Sequence, residues 1–261
     1  MIYDGDIVFG QNGKIIKIAE RLVIKPFHLQ WCDMNFENPE STEIHTSTDN
    51  KERNEEFSRA TSLALFDYLR KSKARGFVLS LSGGADSSLC AVLVAEMVRR
   101  AFAEMGTEKL CATLNIPVTD SIKEIVGSLL TCAYQGTKNS SDETLASAKE
   151  LAASLGAQFH QWTIDDEVTS YESKIETALG RKLSWETDDI AKQNIQARSR
   201  SPIIWMLANI KQAVLLTTSN RSEGDVGYAT MDGDTSGSLA PIAGVDKPFI
   251  ITMAALGREK N

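Results

Sequence analysis

The 261-residue sequence has few prolines, four cysteines, three histidines and no long uninterrupted apolar run. No segment approaches the roughly 20 apolar residues of a membrane-spanning helix. Residues 1–9 also lack the basic and apolar regions of a signal peptide. The cysteines form no C-x-x-C pair, so we expect reduced, mostly buried thiols instead of a zinc site or disulfides. These absences predict a cytoplasmic protein without a membrane partner.

The sequence also has fewer basic than acidic residues. The sequence has 28 Lys and Arg against 35 Asp and Glu, which gives a formal net charge of −7. Proteins that bind nucleic acid without sequence preference gain most of their affinity from Lys and Arg near phosphates. We therefore expect no nucleic-acid partner, although a small-molecule enzyme needs only a few local cations.

The N-terminal part predicts a hairpin followed by a linker. Two β-prone stretches, residues 6–9 and Lys14–Ile18, flank the Asn12-Gly13 pair that favours a tight turn. Residues 35–54 are rich in Glu, Ser, Thr, Asp and Asn and have few large apolar side chains. Such a composition buries little surface, so this stretch is predicted to be a linker or loop.

After the linker, apolar runs alternate between strand and helix patterns. Alternating strands and helices predict a parallel sheet covered on both faces, a doubly wound α/β fold. The predicted strands are residues 77–81, 110–116, 158–164 and 213–219, and the predicted helices lie near residues 55–75, 86–105, 121–134, 143–155, 167–179 and 188–210.

The most informative segment is residues 82–88, SGGADSS, between the first of these strands and a helix. Gly83 and Gly84 allow the backbone to turn tightly and to approach an anion, and the helix start presents free N–H groups. The carboxylate of Asp86 would repel a phosphate unless Mg²⁺ lies between them, so Asp86 is a candidate metal ligand. The alternative is a glycine-rich turn that caps a helix and has no ligand.

Further polar residues follow in the last third of the chain. Thr218 and Glu223 come after the strand near residues 213–219, at the sheet edge where Asp86 is also expected. Glu223 is either a second metal ligand or a helix-capping residue. Taken alone, Arg198 and Arg200 are expected on the solvated surface, and Pro202 is expected to interrupt or bend its helix. The polar residues 227–242 predict a functional loop.

The SGGADSS segment is similar to the phosphate loop of the ATP pyrophosphatase superfamily. Two further runs, TSNRSE at residues 218–223 and DGDTSGSLAPI at residues 232–242, resemble NAD synthetases, above all the synthetase domain of the glutamine-dependent type. The resemblance covers about residues 53–248. It implies an adenine nucleotide alpha hydrolase-like fold for residues 55–261, truncated at the C-terminus, after a linker at residues 37–54. Residues 1–36 resemble the tail of a nitrilase-like amidase domain.

The resemblance also implies a reaction. The enzymes amidate nicotinic acid adenine dinucleotide to NAD with ATP and Mg²⁺, by way of an acyl-adenylate, and release AMP and pyrophosphate. The ammonia would come from glutamine through an amidase domain that this sequence lacks, and a homodimer or higher homo-oligomer is expected. Two alternatives stay open: another superfamily enzyme, GMP synthetase-like or tRNA-modifying, and a truncated nucleotide-binding module without turnover.

By position, the resemblance assigns roles to individual residues. Asp86 and Glu223 would face Mg²⁺, and Asp86, Glu223, Asp234 and Lys247 would be the catalytic set. ATP would contact Ser80, Leu81, Ser82, Gly83, Gly84, Ala85, Asp86, Ser87, Ser88 and Thr218. The dinucleotide substrate would contact Asn194, Arg198, Glu223, Tyr228, Asp234 and Lys247.

Overall fold

The structure is a computed structural model that describes residues 3–34, 36 and 50–259. The predicted N-terminal hairpin is confirmed: β1 (Val8–Gln11) pairs antiparallel with β2 (Lys14–Ile18). Asn12 and Gly13 both have positive φ, of 51° and 75°, the conformation that favours this residue pair in hairpin turns. Most of the predicted linker lies outside the described residues, and the first helix begins at Asn50, inside the predicted linker range.

The main sheet has four parallel strands: β3 (Phe77–Ser80), β4 (Leu130–Gly136), β5 (Gln158–Thr163) and β6 (Val214–Leu216). Their spatial order is β5-β4-β3-β6. The parallel α/β fold predicted from the alternation of strands and helices is therefore confirmed.

Helices cover both faces of this sheet. On one face Phe77 and Leu79 of β3 join the larger apolar core, and on the other face Val78 packs with Ile204 and Ala208 of a long helix. Among the described residues, no helix is long and apolar enough to cross a membrane. The helices are α1 (Asn50–Ser72), α2 (Ala85–Met105), α3 (Thr107–Leu114), α4 (Ile122–Leu129), α5 (Asp142–Leu155), α6 (Asp165–Leu179), α7 (Asp189–Lys211), α8 (Arg221–Val226) and α9 (Lys247–Glu259).

One predicted strand is wrong. Residues 110–116 were expected to form the second strand of the sheet, but α3 occupies most of this range and buries Leu110, Cys111 and Leu114 on one helical side. The second strand is β4, which overlaps the end of the helix predicted over residues 121–134; α4 occupies the first part of that range. Every residue of β4 is buried, so the strand shows no alternation, and a short apolar run cannot distinguish a buried strand from a buried helix.

Of the two outcomes predicted near Pro202, an interruption or a bend, the interruption is wrong, because α7 is continuous from Asp189 to Lys211. Proline has no N–H to donate to the carbonyl one turn earlier, that of Arg198. Packing of Ile204 and Ala208 against the sheet holds the helix together beyond this position.

The strand order creates a crevice at the carboxyl edge of the sheet. The chain builds outward from β3 through β4 to β5, and then crosses back to place β6 on the other side of β3. In open α/β sheets ligands bind at such a reversal, where the loops after the two neighbouring strands diverge. Here those loops are the SGGADSS segment after β3 and residues 217–220 after β6.

Candidate active site

The phosphate loop after β3 is shaped by glycine and by its own hydroxyl groups. Gly83 has a φ of +81°, and a Cβ there would lie 2.4 Å from the carbonyl oxygen of Thr144. Ser82 Oγ accepts the N–H of Gly84 at 3.3 Å and contacts Ser87 Oγ at 3.1 Å, while Ser87 Oγ accepts the N–H of Ser82 at 3.2 Å. Any larger residue at Gly83 would strain the turn, so the loop conformation depends on this glycine.

The loop opens directly into α2, whose N-terminus has no side-chain cap. Gly84 is the N-cap residue, and since glycine has no side chain it makes no side-chain cap hydrogen bond to the first turn. The first N–H groups of a helix lack intrahelical partners and carry the positive end of the helix dipole. The start of α2 can therefore donate several hydrogen bonds to an anion such as a phosphate.

Asp86, in the first turn of α2, contacts two distant residues. Its Oδ1 accepts the Nδ2 of Asn220 at 3.0 Å, and its Oδ2 forms an ion pair with the ammonium of Lys247. The Asp86 side chain is 17% exposed, so these contacts lie largely away from bulk water. Two residues that the sequence assigned to the site, Asp86 and Lys247, are therefore in direct contact.

Glu223 lies in the first turn of α8 and forms a capping box with Asn220. The N–H of Glu223 donates to Asn220 Oδ1 at 3.0 Å, and the N–H of Asn220 donates to Glu223 Oε2 at 3.4 Å. The capping role that the sequence left open is thus present. It engages one of the two carboxylate oxygens and does not exclude a metal at the other.

A cavity of about 360 Å³ lies above the carboxyl ends of β3, β4 and β6. Its volume is at the lower end of the usual range for small-molecule sites, roughly 300–1,000 Å³. Four predicted site residues line it: Ser80, Ser82, Thr218 and Asp234. Glu223 is not part of its wall. The other lining residues include Tyr134, Gln135, Ser140, Thr144, Ala197, Arg200, Ser201, Thr217, Gly233 and Ser236.

Arg200 and Gln135 are site residues that the sequence reasoning missed. Arg200 is half-buried in the cavity wall, so the expectation of a solvated surface residue is wrong for it. Its Nε and Nη1 donate to the carbonyl oxygens of Gln135 and Gln196 at 3.2 and 3.4 Å. Burial lowers the pKa of Arg200, and the nearby charge of Asp234 opposes this shift. No carboxylate of the described residues lies within ion-pair distance of Arg200, so its charge faces the cavity without a direct counter-ion.

The helical spacing of the sequence could have predicted that Arg200 lies on the buried side of α7. Arg200, Ile204 and Ala208 are four residues apart, and the last two are buried against the sheet. Residues four apart share one side of a helix, so Arg200 belongs to the inward side of α7. Arg198 lies two positions away and is exposed, as expected.

The remaining predicted substrate residues surround the loop after α8. Asn194 Oδ1 accepts the hydroxyl of Thr230 at 2.9 Å, and Arg198 Nε donates to the carbonyl oxygen of Met231 at 3.0 Å. Asp234 accepts the N–H of Thr230 at 2.9 Å. Tyr228 is 78% exposed. Thus Asn194 and Arg198 hold the loop that bears Asp234, while Tyr228 stays outside the cavity.

The residues present fit a magnesium ion that is held mainly by a nucleotide. In the described part of the chain, no group of three or more His, Cys, Asp or Glu side chains could hold a metal on its own. Mg²⁺ in nucleotide sites is usually bound by one or two carboxylates, with phosphate oxygens and waters as its other ligands. Asp86 and Glu223 supply that number, and both contact Asn220.

Comparison with known proteins identifies the family. The sequence profile described as NAD synthase matches residues 58–256, about three quarters of the chain. The chain belongs to the NAD synthase family. A glutamine-dependent NAD(+) synthetase of Aquifex aeolicus is 33% identical over 206 residues, which cover 79% of this chain and 31% of that protein. The chain therefore spans about a third of the length of such curated relatives.

Solved structures of NAD synthetases share the fold. A glutamine-dependent NAD(+) synthetase from Cytophaga hutchinsonii matches with a TM-score of 0.88 and 49% identity over 99% of this chain and 44% of that chain. A glutamine-dependent NAD+ synthetase from Acinetobacter baumannii, in complex with ADP, has a TM-score of 0.68 and 21% identity over 96% of this chain and 41% of that chain. The adenine nucleotide alpha hydrolase-like fold expected of an NAD synthase family member is confirmed.

Proposed function

We propose that this chain carries out the ATP-dependent amidation of nicotinic acid adenine dinucleotide to NAD. The observation that carries the proposal is an uncapped helix start after the SGGADSS loop, beside a polar cavity lined by Thr218 and Asp234. The loop offers N–H and hydroxyl donors to phosphates, and the cavity is large enough for part of a nucleotide. Membership of the NAD synthase family supports this choice over GMP-forming and tRNA-modifying enzymes.

The reaction has two balanced steps. A carboxylate oxygen of the nicotinic acid group attacks the α-phosphorus of ATP, and pyrophosphate leaves. Ammonia then attacks the activated carbonyl carbon, the bond to AMP breaks, and a proton is released as the amide of NAD forms. The first step brings two anionic groups together, and the second places ammonia at the activated carbonyl carbon, so acceleration requires alignment and charge neutralisation more than a strong protein base.

The residues of the site match these requirements. Ser82, Ser87 and the N–H groups at the start of α2 would bind the departing pyrophosphate. Asp86 and Glu223 would hold Mg²⁺, which supplies positive charge against the phosphates. Lys247, paired with Asp86, and Arg200, in the cavity wall, add two further cations. Thr218 would contact ATP, and Asn194, Arg198, Tyr228 and Asp234 would contact the dinucleotide substrate.

One turnover assay tests this proposal. The chain is incubated with ATP, Mg²⁺, ammonium and nicotinic acid adenine dinucleotide, and AMP, pyrophosphate and NAD are measured together. We expect equal amounts of AMP and NAD, with no AMP when the dinucleotide is omitted. AMP formation stimulated by XMP or tRNA but not by the dinucleotide would refute the proposal. Calorimetric ATP binding without AMP at saturating ammonium would favour a binding module.

A homodimer is part of the proposal. Helices α6 and α7 leave large apolar side chains on the surface, more than the isolated exposed residues usual for a monomer. These residues are Tyr171, Ile175, Leu179, Ile190, Met206 and Ile210, which are 40–73% exposed. A second copy of the chain would cover them, and the dinucleotide site would lie at the resulting interface.

The domain boundaries and the ammonia source also remain proposals. Residues 1–36 are proposed to be the tail of an amidase domain, residues 37–54 a linker, and residues 55–261 the synthetase domain. Ammonia would be supplied from glutamine by an amidase domain, and a cytoplasmic location is expected for an enzyme that uses ATP.

A further inference from the structure

Asn220 makes hydrogen bonds to both carboxylate residues of the proposed metal site. Its Nδ2 donates to Asp86 Oδ1 at 3.0 Å, its Oδ1 accepts the N–H of Glu223 at 3.0 Å, and its own N–H donates to Glu223 Oε2 at 3.4 Å. Asn220 is only 3% exposed, so water does not compete freely for these groups. One side chain therefore joins the first turn of α2 to the first turn of α8.

Both functions of Asn220 depend on its amide group. A helix N-cap requires only a side-chain acceptor, and Ser, Thr, Asp and Asn all provide one. Of these four, only asparagine also has an N–H₂ donor for a carboxylate. The contact with Asp86 therefore goes beyond what capping requires. A hydrogen bond to an ionised group is stronger than one between neutral groups.

We propose that Asn220 is a positioning residue that fixes the carboxylates of Asp86 and Glu223 relative to each other for Mg²⁺ binding. This inference rests on the proposed function, because that function requires a metal ion beside the phosphate loop. In this role Asn220 acts through the two acids and not on the reacting atoms. Without the Asn220 amide, Lys247 is the one direct side-chain partner that Asp86 keeps among the described residues, and its carboxylate is free to rotate toward that ammonium.

Two variants separate positioning from capping. Asn220→Ser keeps a cap acceptor and removes the donor to Asp86, whereas Asn220→Ala removes both. Ser121→Ala is the matched control, because Ser121 caps α4 through the N–H of Glu124 at 3.3 Å and has no contact with the site. The control measures the effect of losing a cap without touching the metal site.

The readout is Mn²⁺ binding, measured by electron paramagnetic resonance with a non-hydrolysable ATP analogue, together with the melting temperature. We expect Asn220→Ser to weaken Mn²⁺ binding by about tenfold or more, the factor for one charge-assisted hydrogen bond, and to lower the melting temperature less than Asn220→Ala does. We expect Ser121→Ala to lower the melting temperature and leave Mn²⁺ binding unchanged. In turnover, Asn220→Ser should raise the Mg²⁺ concentration for half-maximal rate and largely keep the rate at saturating Mg²⁺.

Unchanged Mn²⁺ binding in Asn220→Ser would overturn the proposal, and so would a loss that merely follows the melting temperature across the three variants. If Asn220→Ala does not fold, Mn²⁺ binding by Asn220→Ser still tests the proposal. The binding experiment contains no dinucleotide substrate and no ammonia. Failure of the amidation reaction would therefore not be mistaken for failure of the Asn220 assignment.

Discussion

Lys247 and Asp86 form an ion pair although 161 positions separate them in the sequence. Asp86 lies in the first turn of α2, and Lys247 is the first residue of α9. The pair therefore fastens the start of α9 to the phosphate loop. Lys247 also supplies a positive charge at the carboxylate where a metal is proposed.

Replacement of Asp86 tests the metal assignment. Asp86→Asn keeps the size of the side chain and removes its charge, so Mg²⁺ and Lys247 both lose a ligand. We expect Mg²⁺-dependent AMP formation to fall by about 100-fold or more, the scale found when a group that stabilises transition-state charge is removed. Glu108→Gln, in the first turn of α3 and away from the cavity, is the control and should keep the wild-type rate. An Asp86→Asn rate within a few-fold of wild type would contradict the assignment.

Glu223 requires a test that separates its capping role from metal binding. Glutamine also completes a capping box, so Glu223→Gln should keep the melting temperature near that of the wild type. Its neutral amide is a poor Mg²⁺ ligand, and AMP formation should fall by about 100-fold. Glu223→Ala should lose activity and also about 0.5–1.5 kcal/mol of stability, the usual net value of the one hydrogen bond that the capping box loses.

The result can be read from two measurements on each variant, thermal unfolding and AMP release. A fully active Glu223→Gln would show that Glu223 serves only as a cap. Equal melting temperatures for the Gln and Ala variants would instead show that the capping box contributes no stability.

The sequence predicted the parts of the fold that have strong local signals. The SGGADSS segment contains its own turn chemistry, and Asn12-Gly13 specifies a hairpin wherever it stands between two strands. Local signals failed for two segments between residues 110 and 136. The segment predicted as a strand forms α3, and the end of the segment predicted as a helix forms β4. Both segments are buried, and the partner strands that give β4 its hydrogen bonds are far away in the chain.

Motifs selected candidate site residues but could not show which of them are in contact. Asp86, Glu223 and Lys247 were selected by motif, but the contact between Asn220 and Asp86 joins residues 134 positions apart. Only the tertiary fold brings such residues together. Arg200 was missed because a charged residue beside another arginine resembles a solvated helix surface, and its burial depends on how α7 packs on the sheet.

Arg200 is expected to bind an anionic group in the cavity. Its direct partners among the described residues are two carbonyl oxygens, so an incoming phosphate or carboxylate would meet a cation that is not neutralised. Arg200→Met should raise KM for ATP or for the dinucleotide by about 10- to 100-fold, the value of a hydrogen bond to a charged group. Lys211→Met, on the same helix and outside the cavity, is the control. Initial-rate measurements with each substrate varied in turn identify the ligand, and two unchanged KM values would exclude this role.

The ion pair between Glu55 of α1 and Arg100 of α2 makes the stability of the folded chain depend on pH in the acid range. The guanidinium of Arg100, with help from that of Arg59, lowers the pKa of Glu55 to about 2. Because the folded pKa lies below the ordinary value, the stabilisation is complete above about pH 4.5 and is lost as the pH falls toward 2.

Glu55→Gln should therefore lower stability at neutral pH and reduce the loss of stability between pH 4.5 and pH 2. Glu55 is 41% exposed, so solvent screening limits the expected cost at pH 7 to about 1 kcal/mol. Urea unfolding at a series of pH values measures it. Parallel pH curves for wild type and variant would show that Glu55 titrates alike in the folded and unfolded chain.

The apolar surface of α6 and α7 gives a test of the proposed homodimer. Ile190 and Ile210 of α7 are 69% and 73% exposed. A carboxylate at either position would be buried without a partner in a dimer but would stay solvated in a monomer. Ile210→Asp should therefore shift the chain toward monomer in sedimentation velocity experiments, with only a small fall in melting temperature at low protein concentration, because the carboxylate lies near the C-terminus of α7. Val118→Asp is the control, since Val118 is 66% exposed in the segment between α3 and α4.

If the dinucleotide site lies at the interface, Ile210→Asp should also raise KM for the dinucleotide and leave ATP binding unchanged. A wild-type chain that sediments as a monomer at micromolar concentration would rule out this surface as a dimer contact.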